Sequence, residues 1–193
     1  MSTRKIVTNT LYYGVVPKLT MLLSIVILPL TTPFLTTYDY GIYGVMTSYT
    51  SLFVSIAPLG LHVHLTNSFF EYPRHYHLVW GRVLAMVLVS SLVFGLLNMG
   101  ILMWTLPSMP NMASLAGLTL VGSVPIFLLA NGLLAQHLFP LVERPKPLVF
   151  TNLTGSVLGM LVSFVLIYYF RQGYWGLISS GFVSAVFVFT VFI

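Results

Sequence analysis

Val83–Val142 reads VLAMVLVSSLVFGLLNMGILMWTLPSMPNMASLAGLTLVGSVPIFLLANGLLAQHLFPLV, sixty residues (142 − 83 + 1) without an Asp, Glu, Lys or Arg. An apolar helix needs roughly 20 residues to cross the hydrocarbon core of a bilayer. The stretch therefore holds two spans. Leu106-Pro107-Ser108-Met109-Pro110-Asn111 divides them, because proline cannot donate to the helix ladder and restricts the residue before it. Stretches such as Leu84-Ala85-Met86-Val87-Leu88-Val89 do not alternate apolar with polar, as the strands of a membrane barrel would. Backbone groups in lipid must bond within their own segment, so the remaining solution is helical.

The rest of the chain agrees. Tyr40–Phe70 is also free of charge; 6% of the 193 residues are charged, 58% are hydrophobic and the mean hydropathy is +0.97. Such a chain has too little polar surface to fold in water. We expect an all-α, polytopic membrane protein with six spans at 10–36, 41–66, 82–105, 113–139, 148–170 and 174–193. The first apolar stretch is too long for a cleavable signal peptide and carries Lys18. The last one, Phe187–Ile193, has no polar flank, which suggests that the sequence is truncated there.

The eight basic residues orient the helices. Arg4 and Lys5 precede the first span, Arg74 and Arg82 belong to the 67–82 loop, and Arg144 and Lys146 to the 140–147 loop. With six alternating spans these six share one side, leaving Arg171 on the other and Lys18 embedded. The positive-inside rule then makes the N-terminus and the even loops cytoplasmic. Trp80 marks the inner interface, and Trp104, Tyr168, Tyr169, Tyr174 and Trp175 the outer one. The formal net charge of +5 is explained by these loops and needs no nucleic acid.

Chemistry is sparse. The absence of cysteine excludes disulfides, thiol catalysis and thiolate metal sites. The three acids, Asp39, Glu71 and Glu143, fall in predicted loops, and Asp39 suits the N-terminus of a helix. His62 and His64 point to different helix faces, and His75 and His77 flank Tyr76 in a basic loop, so no metal site is expected. No phosphate-binding glycine loop, nucleophile elbow or carboxylate pair occurs. Neither an enzyme nor a cofactor is expected.

The second span holds the candidate site. On a helical wheel Tyr43, Thr47, Ser48, Thr50, Ser51, Ser55, His62 and Thr66 share an arc of roughly 160°, with Pro58 kinking the helix between them. Two readings stand: a hydroxyl-rich contact between helices, or the wall of a water-filled cavity. Lys18 lies about 8 residues into its helix, ~12 Å deep at the helical rise. Either it faces a cavity or its stem snorkels back to the interface. Gly155 and Gly159, with Asn152, Ser156 and Ser163 nearby, predict close packing of the fifth helix. Asn98, Asn131 and Gln136 are expected to bond between helices.

Several short motifs carry a family resemblance. They are Asn9-Thr10-Leu11-Tyr12-Tyr13-Gly14 with Lys18-Leu19, then Tyr38-Asp39-Tyr40-Gly41-Ile42-Tyr43-Gly44 with Ser48-Tyr49. Leu59-Gly60-Leu61 with Asn67-Ser68-Phe69-Phe70-Glu71-Tyr72 follows, and Gly173-Tyr174-Trp175-Gly176-Leu177-Ile178 comes last. In order and spacing these resemble the polysaccharide (O-antigen) flippases of the multidrug/oligosaccharidyl-lipid/polysaccharide exporter superfamily. The resemblance implies that the chain is the N-terminal lobe of a two-lobe transporter in the cell (inner) membrane. Its implied partners are the lipid bilayer, a second six-helix lobe and a polyprenyl-diphosphate-linked oligosaccharide, moved by alternating access. Lys18 would meet the diphosphate, while Tyr43, Thr47, Thr50, Ser51, Ser55 and His62 would face sugar or water. A multidrug exporter of the same superfamily and a non-transporting scaffold or accessory subunit are the alternatives.

Overall fold

A computed structural model of the chain describes residues 18, 21–22, 25–71, 76–106, 112–142 and 145–192. All regular structure among them is helical. The short helix α1 (Ile25–Phe34) closes in a 3-10 turn at Thr32–Phe34. It is followed by α2 (Thr37–Ile56), α3 (Leu61–Glu71), α4 (Tyr76–Thr105), α5 (Met112–Leu141), α6 (Pro145–Tyr168) and α7 (Gly173–Phe192). Among the described residues, five stretches are long and apolar enough to cross a membrane: Thr37–Glu71, Leu78–Thr105, Ser114–Leu141, Lys146–Tyr168 and Gly173–Phe192. The predicted first span, 10–36, lies largely outside the described residues, which retain α1, Lys18, Met21 and Leu22 of it.

The sequence-based boundaries need three corrections. The second span does not stop at residue 66, because α3 continues to Glu71. The predicted 67–82 loop contracts to the residues between Glu71 and Tyr76, since α4 starts at Tyr76. Asp39 and Glu71, expected in loops, lie inside helices α2 and α3. In each case polar residues were read as loop, although the ends of membrane helices reach into the polar headgroup layer and tolerate them.

A further correction concerns the shape of the second span. It is two helices separated at Ala57–Gly60 rather than one kinked rod. Pro58 offers no N–H to the ladder, and Leu59 and Gly60 take left-handed backbone angles, φ 48° and 71°. The break is held from outside: Ser90 of α4 donates its hydroxyl to the Ala57 carbonyl at 2.5 Å. A carbonyl released by the break therefore has a partner, as a dry environment requires.

Helix α5 is the central element. Its span is 67% buried, against 22–28% for the other four. Around it lie Ile42, Met46, Leu102, Leu106, Leu118 and Ile178, a core drawn from α2, α4, α5 and α7 together with the residue closing α4. The Met46 methyl occupies the notch that Gly122 leaves on α5; a Cβ there would collide with it. Asn98 donates through Nδ2 to Ser123 Oγ at 2.9 Å, joining α4 to α5 as expected of Asn98. Gln136 is exposed, and the Asn131 side chain lies outside the described residues.

Helices α6 and α7 form a hairpin through the short turn 169–172, where Arg171 takes φ 53°. The predicted Gly155/Gly159 face is the contact between them. A Cβ on Gly159 would strike the backbone carbonyl oxygen of Ser180, and one on Gly155 would sit 3.4 Å from that of Ser184. With no hydrophobic drive between helices in lipid, such close backbone approach is what gains dispersion energy.

Candidate functional site

The hydroxyl arc of α2 borders an open-sided, mostly apolar cavity of about 330 Å3 between α2, α5 and α7. From α2 come Tyr43, Met46, Thr47, Thr50, Ser51 and Val54. The opposing walls are Val121, Gly122, Pro125 and Leu129 of α5, and Leu177, Ile178, Ser180 and Gly181 of α7. Such a volume is typical of a small-ligand site. Among the described residues no charged side chain lines it.

Local sequence explains the placement. Ile42, Met46 and Phe53 are the buried side of α2, and they point it at α4, α5 and α7. That rotation leaves Thr47, Ser51 and Ser55 exposed, with Tyr43 and Thr50 half-buried between. Thr50 crosses the interface, its hydroxyl donating to the Gly122 carbonyl at 3.1 Å. The others bond back along their own helix: Thr47 to the Tyr43 carbonyl at 2.8 Å, Ser51 to that of Ser48 at 3.0 Å, and Ser55 to that of Ser51 at 2.8 Å. Their protons are thereby used, while their oxygen lone pairs remain open to a donor. What little polar surface these groups offer is that of acceptors, and the cavity lining as a whole is apolar.

Of the seven residues named from the sequence, four meet here: Tyr43, Thr47, Thr50 and Ser51. Ser55 continues the same exposed stripe one turn further on but does not line the cavity. His62 belongs to α3, beyond the break. Its ring stacks on that of His137 with centroids 4.5 Å apart and planes 17° from parallel. Lys18 is helical and exposed, and does not line the cavity. Sequence reasoning missed the α5 and α7 walls. Pro125 and the Ser180-Gly181 pair were visible signals, since an intrahelical proline and small polar residues relax helix packing, but nothing local says which helices face α2.

One end of the cavity-forming helices is tied by Asp39. Its Oδ2 accepts from the Thr36 N–H at 2.8 Å and from the Thr36 hydroxyl at 2.6 Å, while the Thr36 hydroxyl oxygen accepts from the Asp39 N–H. This is a capping box at the start of α2. Its Oδ1 accepts from the Tyr174 N–H at 2.9 Å, in the first turn of α7. A single carboxylate thus serves two helix N-termini, where the dipoles favour negative charge. Gly173 makes room for it, because a Cβ there would run into that carboxylate. Beside this junction the Arg171 guanidinium lies 4.7 Å from the Phe34 ring centre, and Phe34 meets Tyr168 edge-on at 5.2 Å. Of the aromatics expected at the outer interface, Trp104, Tyr168 and Tyr169 are exposed, while Tyr174 and Trp175 are half-buried.

A bundle of long apolar helices with a hydroxyl stripe along the edge of an open cavity suits a multi-pass membrane protein of the transport type. The chain belongs to the polysaccharide biosynthesis protein family, whose model matches residues 6–193; this is the family of polysaccharide/O-antigen flippases within the exporter superfamily that the motifs resemble. Comparison with curated proteins and with solved structures yields no match. The family assignment brings a flippase or transporter role in polysaccharide biosynthesis.

Proposed function

We propose that the chain forms one wall of a pathway that moves a lipid-linked oligosaccharide across the cell membrane for cell-surface polysaccharide synthesis. The observation that carries this reading is the hydroxyl face of α2, part of it on a cavity and part exposed. These hydroxyls donate back along their own helix, and their still-open oxygens suit the many O–H donors of a glycan. The apolar α5 and α7 side suits the C–H faces of sugar rings. The absence of a carboxylate on the wall argues against a cationic drug as cargo.

In this mechanism the lobe rocks against a second six-helix lobe, and the polyprenyl chain stays in lipid while the sugar crosses between lobes. Lys18 provides the positive charge for the diphosphate. Tyr43, Thr47, Thr50, Ser51 and Ser55 form the polar track, with His62 beyond the break. The cytoplasmic N-terminus follows from the distribution of basic residues.

The test is surface-polysaccharide display in cells whose only copy of the complete protein carries the variant. Thr47→Val with Ser51→Ala removes two accepting oxygens with little change of shape and should reduce display at least tenfold with protein abundance unchanged. Lys18→Ala should abolish display, and Lys18→Arg should retain part of it, because charge persists while geometry changes. Normal display with Thr47→Val and Ser51→Ala combined would remove the α2 track from the pathway. Normal display by Lys18→Ala would assign Lys18 to snorkelling instead.

A further inference from the structure

The His62–His137 stack is not explained by the transport reading, and its surroundings give it a use. His62 is the second residue of α3, immediately past the Ala57–Gly60 break. His137 lies four residues before the end of α5, ~6 Å from it along the axis, and is exposed. At least one of the two rings is thus open to protons from that end of the lobe. The parallel stack is an arrangement for neutral imidazoles, or for one neutral and one charged. Two imidazolium ions at this separation repel.

Among the described residues no opposite charge lies beside the pair, and Glu143, two residues past α5, lies outside them. On α3 the other titratable side chains are His64, exposed on a different face, and Glu71, nine residues further along at ~13.5 Å. Helix α4, against which α3 packs, carries Tyr76, His77 and Arg82; Arg82 is exposed and the His77 side chain lies outside the described residues. On α5, His137 is the only ionisable side chain. No carboxylate is therefore placed to hold a doubly charged pair together among the described residues.

The rest of the α3 contact is apolar, with Leu65 against Val83, Val87 and Leu134. In water such a cluster would resist opening. In a bilayer, lipid tails replace protein contacts without a hydrophobic penalty, so a single polar contact can decide where α3 sits. The break supplies the pivot, because helical bonding from α2 does not run through Pro58 and the two left-handed residues after it.

We infer that His62 and His137 form a proton-operated contact. It holds α3 on α5 while at most one ring is charged, and it releases α3 about the Ala57–Gly60 pivot when both are. The device links the acidity on one side of the membrane to the opening of that end of the lobe, and it does not depend on which substrate is carried.

Spin labels at Asn67→Cys on α3 and Val142→Cys after α5, both exposed positions, report the separation in the full protein in nanodiscs. Between about pH 8 and about pH 5, the range over which histidine charges, the distance distribution should move to longer values. His137→Phe keeps a stacking ring without a proton site and should hold the short distance at both pH values. His62→Lys combined with His137→Lys should give the long distance at neutral pH as well. Identical wild-type distributions at both pH values would overturn the inference, as would a pH response that survives in His137→Phe. A titration of 15N-labelled histidine in the unaltered chain tests the pair without the ring substitutions. Two coupled steps, the second proton binding at least about tenfold more weakly, support it; two independent rings titrating near the ordinary value of ~6.5 overturn it.

Discussion

Replacing Asp39 by Ala should loosen two helices at once. The substitution removes three hydrogen bonds to an ionised acceptor: two from Thr36 at 2.8 and 2.6 Å and one from the Tyr174 N–H at 2.9 Å. Loss of a helix cap costs about 1 kcal/mol, and a hydrogen bond to a charged group contributes about 1.5–3 kcal/mol. Thr36 is exposed, so water can replace the carboxylate at that end. The Tyr174 N–H is less able to recover, because Asp39 is only 8% exposed and covers it. The low end of each range therefore applies, and the total is about 2.5 kcal/mol. Asp39→Asn should cost about half of this, since its amide carbonyl can still serve one of the two helices while its NH2 opposes the other donor. The assay is equilibrium unfolding in mixed micelles, followed by tryptophan fluorescence, with Trp80 and Trp104 replaced by Phe so that Trp175, next to Tyr174, is the reporter. A double-mutant cycle isolates the link between helices. Tyr174→Pro removes the donating N–H in the first turn, where proline fits a helix, and the coupling to Asp39→Ala should be about 1 kcal/mol or more. A loss under about 0.5 kcal/mol for Asp39→Ala, the range of an ordinary surface substitution, or a coupling near zero would refute the two-helix cap.

Two further outcomes are expected. Gly159→Ala should destabilise the α6–α7 hairpin by about 1–3 kcal/mol, the usual cost of overpacking, because the obstacle is the Ser180 backbone and cannot rotate away; Gly181→Ala, with nothing within 4 Å of the new Cβ, should be near neutral. Thermal unfolding of the two variants checks the contrast. Single cysteines at Glu71 and Gln172, both exposed and separated by α4, α5 and α6, should label from opposite faces of the membrane, Glu71 from the cytoplasm. The chain has no native cysteine to confuse the reading. Labelling of both from the outer face would contradict the alternation of spans.

Much of this was legible in the order of residues. Charge-free runs such as Val83–Val142 fix a helical membrane protein, because bilayer thickness and the need to satisfy backbone groups in lipid act on the chain locally. The Gly155/Gly159 contact and the interhelical role of Asn98 were also readable, since both depend on residue type along one helix. So was the polar face of α2, with Tyr43, Thr47, Thr50 and Ser51 on one arc. Other features depend on which helix neighbours which. Asp39 reaches a backbone N–H 135 residues away, and no periodicity in either helix announces that meeting. His62 fell on the same arc as the α2 hydroxyls only while the second span was treated as one continuous rod. The break at Ala57–Gly60 moves it onto α3, where the fold brings it to His137. Pro58 and Gly60 signalled a disturbance, but the direction taken by the chain beyond them is set by Ser90 and by the packing of Leu65 on α4 and α5. Local chemistry determined the helices and their polar faces; the closing of α2, α5 and α7 around a cavity required long-range packing, which a single helix does not encode.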